Sequence, residues 1–175
     1  MKTIRVLLAL ALLVPTVLLS ACGYSLEGRG SFLPPHILKI GVPTFRNLTT
    51  TPGLEEIITG EIYSEFLTRG DFRLSAETSG VDAVLSGEIT SYRYLPRAID
   101  EEGMATSYLI YITANIIFRD LQQDKVIWKQ DGFRFQSEYQ LSEEGADFVS
   151  QESASVQRAA EDFAKSVVST ILTGF

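Results

Sequence analysis

Between Tyr108 and Phe118 every second residue is apolar: Tyr108, Ile110, Ile112, Ala114, Ile116 and Phe118. Side chains of an extended chain alternate between two faces, so this spacing predicts a strand with one wholly apolar face. Leu121-Gln122-Gln123-Asp124 predicts a turn into Val126–Glu138, a partner strand carrying Trp128, Phe133 and Phe135. Each arm of this hairpin runs about a dozen residues, long for a small sheet. An apolar sheet face needs a cover, and the C-terminal segment supplies one. Val156, Ala159, Ala160, Phe163, Ala164, Val167, Val168, Ile171 and Leu172 form one stripe at helical spacing, while Gln157, Arg158, Glu161, Asp162 and Lys165 lie elsewhere.

The earlier segments fit the same plan. Ile37–Val42 reads as a short strand ended by Pro43, and Thr44–Thr51 as a loop. Leu54, Ile57, Ile58, Ile62 and Phe66 recur at helical spacing. Thr51 is the expected cap, Pro52 the first helical residue, and Arg69-Gly70 the stop, with Glu55 and Glu56 at the positive end of the dipole. Phe72–Ala76 is a further short strand. Val81, Ala83, Leu85, Gly87 and Ile89 alternate with Asp82, Ser86, Glu88 and Thr90. Beyond Ile89 the bulky residues change parity to Tyr92 and Tyr94, which predicts a bulge or a strand leaving the core. Pro96–Gly103 reads as a connecting loop. The expected fold class is α+β: a two-layer sandwich, two helices packed on one face of a mostly antiparallel four- to five-stranded sheet.

The N-terminus sets the address. Lys2 and Arg5 precede Val6–Leu19, apolar apart from Pro15 and Thr16, and Leu19-Ser20-Ala21 lead into Cys22, the sole cysteine. This is the layout of a secretory signal peptide (residues 1–21), too short in its apolar run for a membrane span. The motif resembles the bacterial lipobox, in which the cysteine becomes the first mature residue. Cys22 would then carry a thioether-linked diacylglycerol and an N-acyl chain such as palmitate, a far firmer anchor than one myristoyl group. Residues 22–35, rich in Gly, Ser and Pro, form the expected lipidated tether, whose stretch from Gly23 to Pro35 reaches roughly 40 Å when fully extended. Residues 36–175 form the expected single domain. Without Lys2 and Arg5 the chain holds 13 basic and 22 acidic residues, a charge of −9. Such a surface is repelled by nucleic acid.

Enzymatic chemistry finds little to stand on. His36 is the only histidine, so neither a Ser-His nucleophile nor a multi-histidine metal site can be assembled. Flanked by Pro35 and Ile37, it reads as a loop residue. Gly28-Arg29-Gly30 does not continue into a dinucleotide fingerprint. Asp82, Glu88, Asp131 and Glu138 read as solvated strand positions before they read as an acid/base pair. We expect no enzyme, no metal and no cofactor beyond the acyl chains. The helices cover one sheet face; Leu109, Tyr111, Thr113 and Asn115 fall on the other, mixed with Ser107 and Ile117. A partly apolar uncovered face points to a partner or a lipid. Arg93 and Arg97 are the only cations near the Pro96–Gly103 loop, and are candidate phosphate contacts.

Cys22-Gly23-Tyr24-Ser25-Leu26, Leu33-Pro34-Pro35-His36-Ile37 and Ile40-Gly41-Val42-Pro43-Thr44-Phe45-Arg46-Asn47 resemble the LptE family, the lipopolysaccharide-assembly lipoproteins. Pro52-Gly53-Leu54-Glu55, Asp82 to Ile89 and Arg158 to Ala164 extend the resemblance in the same order across the mature chain. It implies the same two-layer sandwich, on the periplasmic side of the outer membrane. It also implies a plug in the lumen of the β-barrel translocon LptD, aiding barrel assembly and lipopolysaccharide delivery to the outer leaflet. Gly23 is compatible with that destination, since it is not the aspartate that commonly retains enterobacterial lipoproteins. A barrel lumen is polar, which suits a mixed face such as Tyr111, Thr113 and Asn115. In better-studied members basic residues near the loop between the two central strands are linked to lipopolysaccharide binding; here that stretch is the acidic Asp100-Glu101-Glu102-Gly103. Arg93 and Arg97 would have to substitute. The rival reading is a periplasmic lipid-binding lipoprotein without a barrel partner.

Overall fold

The apolar alternation around Ile112 folds as an interior strand of a six-stranded sheet. The computed structural model describes residues 32–103, 105–140 and 148–174, the side chains of 148–152 excepted. The signal peptide, Cys22 and tether residues 23–31 lie outside the described residues. In chain order the elements are β1 (Lys39–Gly41), β2 (Arg46–Asn47), α1 (Leu54–Arg69), β3 (Arg73–Ser75), β4 (Ala83–Ile99), β5 (Ala105–Asp120), β6 (Lys125–Gln140) and α2 (Phe148–Thr173). Among the described residues no helix is long and apolar enough to cross a membrane.

The sheet order is β3-β1-β4-β5-β6, with β2 also on β4. β4, β5 and β6 form two long antiparallel ladders, whereas β1 pairs parallel with both β3 and β4, and β2 pairs parallel with β4. The sheet is mostly antiparallel, as expected, but it is mixed and has six strands where four to five were expected. The reason is the position of α1. A helix between two short strands returns the chain in the same direction, so β1 and β3 run parallel.

Both helices and one face of the sheet share a single core. Leu54, Ile58, Ile62 and Phe66 of α1 and Ala159, Phe163, Val167 and Ile171 of α2 are fully buried against Leu85, Ile89, Ile110, Ile112 and Ile116. Each large side chain so buried contributes about 1.5–3 kcal/mol. The expected parity change is a bulge, and β6 holds a second one. The register passes from Ile89↔Ala114 to Ser91↔Thr113, which returns Tyr92 and Tyr94 to the face of Ile112 and Ile110. On β6 it passes from Gln130↔Ile116 to Phe133↔Ala114, so Trp128, Phe133 and Phe135 all reach the core face.

Four local expectations change, the first being that Arg46–Asn47, inside the expected Thr44–Thr51 loop, is strand β2. Gly53, at φ 79°, caps α1 in place of Thr51 and makes no side-chain cap bond. The left-handed backbone there is open to glycine and rarely to other residues. The predicted Pro96–Gly103 loop is shorter, because β4 continues to Ile99. Among the described residues β4 pairs beyond Ile89 with β5 alone, so Pro96 sits where a missing N–H costs no ladder bond on the other side. Finally, Phe32–Pro35 pack onto the fold: the Phe32 N–H donates to Leu172 O at 2.8 Å, and Leu33 is buried.

A polar clamp closes the end of the sandwich where the N-terminal segment enters. Buried Asp120 lies 2.7 Å from His36 Nε2 and accepts the Gln122 and Gln123 N–H groups of the β5–β6 turn. Asp82 accepts the Leu38 and Lys39 N–H groups at 2.9 and 2.8 Å and the Gln122 amide at 2.6 Å. His36, read from sequence as a plain loop residue, thus tethers two segments 84 residues apart. Backbone N–H groups hold the Asp82 carboxyl below its ordinary value of 3.8. At Asp120 burial pushes upward, but the Gln123, His36 and Gln122 hydrogen bonds together outweigh it and lower the value. Depressed carboxyls contribute stability that is complete above pH 3.8 and lost as pH falls through the depressed values. Asp120→Asn is accordingly expected to cost about 2 kcal/mol at pH 7. In thermal melts its difference from the unsubstituted chain should shrink below pH 3.8; a constant difference would reject the assignment.

Candidate partner-binding surface

The face of β5 opposite the core carries Leu109, Tyr111, Thr113, Asn115 and Ile117, each half-buried between flanking strands. Register fixes their neighbours, because cross-strand partners share a face. Leu95, Leu109 and Glu138 form one row; Arg93, Tyr111 and Gln136 the next; Ser91, Thr113 and Arg134 the third. Glu88 and Asn115 follow, then Ser86, Ile117 and Lys129. The four face residues expected from the sequence therefore lie side by side on one central strand.

The electrostatics of this face differ from those of the whole chain. Glu88 pairs with Arg46 at 3.3 Å, and Lys129 with Asp131 at 2.9 Å. Arg97 Nε lies 3.3 Å from Glu138 Oε2, while the Ser107 hydroxyl donates to Glu138 Oε1 at 3.1 Å. Arg93 and Arg134 are exposed, and among the described residues they form no ion pair. Much of the acidic excess lies elsewhere: Glu55, Glu56, Glu61 and Glu65 on α1, Glu161 and Asp162 on α2, and Asp100–Glu102 in the β4–β5 connection. The open face is thus locally cationic on an acidic protein.

The candidates do not share one role. Arg93 stands beside Tyr111 and forms no ion pair among the described residues, whereas Arg97 is engaged by Glu138. Asn115 does structural work: its Oδ1 accepts the Gly132 N–H at 2.9 Å. Gly132, at φ 65°, and Asp131 are the two bulged residues opposite Asn115. Arg134 escaped sequence reasoning, because only the register after that bulge brings it beside Thr113. A parity count from Phe133 and Phe135 was the one signal that could have placed it. The four strand carboxylates do not converge: Glu88, Asp131 and Glu138 each face a cation, and Asp82 serves the clamp. Among the described residues no cluster of three or more His, Cys, Asp or Glu could hold a metal ion.

Known proteins extend the picture. The fold is similar to that of a hypothetical protein from Chlamydia trachomatis at TM-score 0.55, with 8% identity, covering 78% of this chain and 96% of that one. It is also similar to a protein from Xanthomonas campestris at TM-score 0.54, with 12% identity, covering 81% and 90%. At such identities the likeness speaks to the fold alone. Among curated proteins, none matches the sequence. The lipopolysaccharide-assembly family model, LptE, matches residues 38–171. That span runs from the edge of β1 to the last turn of α2 and takes in the whole open face, and the chain belongs to the LptE family.

Proposed function

We propose that the protein is a non-enzymatic lipoprotein, held to the periplasmic side of the outer membrane by acyl chains on Cys22. It plugs an LptD-like β-barrel, helps that barrel assemble, and supports lipopolysaccharide delivery through it. Family membership supports the process. The observation that carries the plug is the open face: a half-buried row of Leu109, Tyr111 and Thr113 flanked by charges, on the side of the sheet away from both helices. A mixed surface of this kind suits a polar barrel lumen better than it suits lipid. Arg93, without an ion pair among the described residues and next to the Leu95–Leu109 pair, offers a cation beside an apolar strip, the two needs of a phosphorylated glycolipid.

Co-purification from detergent-solubilised outer membranes tests the plug. The unsubstituted chain is expected to bring down a large β-barrel protein, and a Tyr111→Asp, Thr113→Asp chain to lose it with an unchanged melting temperature. Recovery of the unsubstituted chain without a barrel would reject the plug and favour a lipid carrier acting alone. For lipopolysaccharide, Arg93→Glu is expected to weaken binding roughly 5- to 10-fold, the scale of one charge-assisted contact. Arg97→Glu should matter less, since Arg97 already answers Glu138. Equal effects in a binding titration would undo that ranking.

A further inference from the structure

The strand register lines up one end of the sandwich. Lys39 pairs with Arg73, Ile40 with Ala83, Ala83 with Asp120 and Asp120 with Lys125, so β1, β3, β4 and β6 start there and β5 finishes there. The tether joins the fold at the same end. Phe32 bonds to Leu172 near the end of α2, and His36 reaches Asp120 in the clamp. Phe32 lies ten residues from Cys22, so chain length alone keeps this end within roughly 35 Å of that sulfur.

Exposed apolar side chains gather here. Of the eight large hydrophobics exposed among the described residues, Phe32, Leu38, Leu67, Leu121 and Val126 stand at this end, Phe32 and Leu38 at 62% and 63% exposure. Leu38 and Leu121 flank Asp82, whose carboxylate accepts the Leu38 N–H and whose carbonyl accepts the Leu121 N–H. Lys39, Arg73 and Lys125 stand along the same line and form no ion pair among the described residues. The carboxylates around them are mostly engaged: Glu65 by Arg69, Asp124 by Arg119, and Asp82 and Asp120 within the clamp, leaving Asp71. The opposite end differs in charge, since Leu95 and Ile99 are exposed there beside Asp100, Glu101 and Glu102.

We propose that the tether end is a lipid-docking surface, which sets its exposed leucines into the headgroup layer while Lys39, Arg73 and Lys125 meet acidic phospholipids. Apolar side chains beside cations bind bilayers through buried area and charge together. The proposal rests on the acyl anchor at Cys22, because a short tether raises the local concentration of lipid around a small surface. The docking surface is the end of the sandwich and the open face its side, so Tyr111 and Thr113 stay free for a barrel. Docking is the posture of the chain before its barrel closes around it; once the plug is seated, the tether keeps this end at the periplasmic mouth.

Depth-dependent quenching tests the surface in the full lipidated chain, reconstituted in vesicles of phosphatidylethanolamine and phosphatidylglycerol that carry a spin-labelled lipid. With Cys22 acylated, Gln123→Cys in the β5–β6 turn or Glu101→Cys at the far end supplies the sole thiol for a fluorophore; both sites are exposed. Quenching is expected to be about 3-fold or more stronger at 123 than at 101. Leu38→Ser with Leu121→Ser should reduce the docked population about 10-fold, and Arg73→Glu with Lys125→Glu, or vesicles without phosphatidylglycerol, should do likewise. Leu95→Ser with Ile99→Ser, the same change at the far end, should leave quenching at 123 unaltered. Melting temperatures check that each variant keeps its fold. A chain that does not float with the vesicles would refute the anchor and this proposal with it. One that floats with equal quenching at 101 and 123, or with no response to the leucine and charge changes, would refute the docking alone. The Leu38→Ser, Leu121→Ser chain is expected still to bring down the barrel; its loss would assign this end to a protein partner and overturn the proposal.

Discussion

Replacing Phe163 by alanine is expected to destabilise the protein by about 3–5 kcal/mol, the largest effect of any single truncation on α2. The Phe163 ring is fully buried and meets two others edge-on: Phe133 at 5.6 Å between centroids and Phe135 at 6.1 Å. Both partners stand on β6 just beyond its bulge, so the triad is what seats the helix on the outer strand. Removing the ring forfeits its transfer energy and leaves a cavity among three elements that cannot all move inward. Trp128 adds to the rigidity, since it meets Phe133 edge-on at 6.0 Å. Urea titration should show a lower midpoint at an unchanged slope, and thermal melting a fall of roughly 10 °C or more. A loss below about 1 kcal/mol would mean that the neighbouring rings close the gap.

Gly87→Ala should rank second, at about 1–3 kcal/mol, for the opposite reason. The space where a β-carbon would stand at Gly87 is filled by the Phe45 ring, well inside contact distance. Phe45 is buried and cannot retreat freely, because its N–H donates to Thr59 Oγ1 on α1 at 3.0 Å. Gly87 lies on β4 opposite Ile116, so the added methyl strains the loop after β1, α1 and the central sheet together. Shrinking the ring should relieve it. Phe45→Leu in the Gly87→Ala background is expected to cost less than the sum of the two single changes, a coupling readable in a double-mutant cycle. Strict additivity would place the clash elsewhere.

The contrast between these residues shows what one sequence makes legible. Phe163 belongs to a helical stripe and Ile112 to a strand alternation, patterns written in neighbouring residues, and both reached the core as expected. The change of parity at Tyr92 was equally visible, since a bulge moves every later side chain to the other face; the one between Trp128 and Phe133 went unread. Gly87 was not legible as a site of close approach. Nothing beside it in the chain announces the ring of Phe45. The same holds for His36 and Asp120, for Asn115 and Gly132, and for the row that joins Arg134 to Thr113. Charge behaves likewise. A net charge of −7 argues against an anion-binding face, yet pairing and placement leave Arg93 and Arg134 exposed on one side of the sheet.

The sequence by itself determined the long helices and strands, the sidedness of each, the family resemblance and the resemblance of Leu19–Cys22 to a lipobox. These are local properties: periodicities of 2 and 3.6 residues, and short motifs read by an enzyme or a membrane. Only the tertiary structure decided the parallel pairing of β1, β2 and β3, the clamp of His36, Asp82 and Asp120, and which arginines Glu88, Glu138 and Asp124 engage. Each of those depends on register or on contacts between residues distant in the chain. Such contacts are set by how the layers settle on one another, a balance of burial over the whole core that no single stretch of sequence contains.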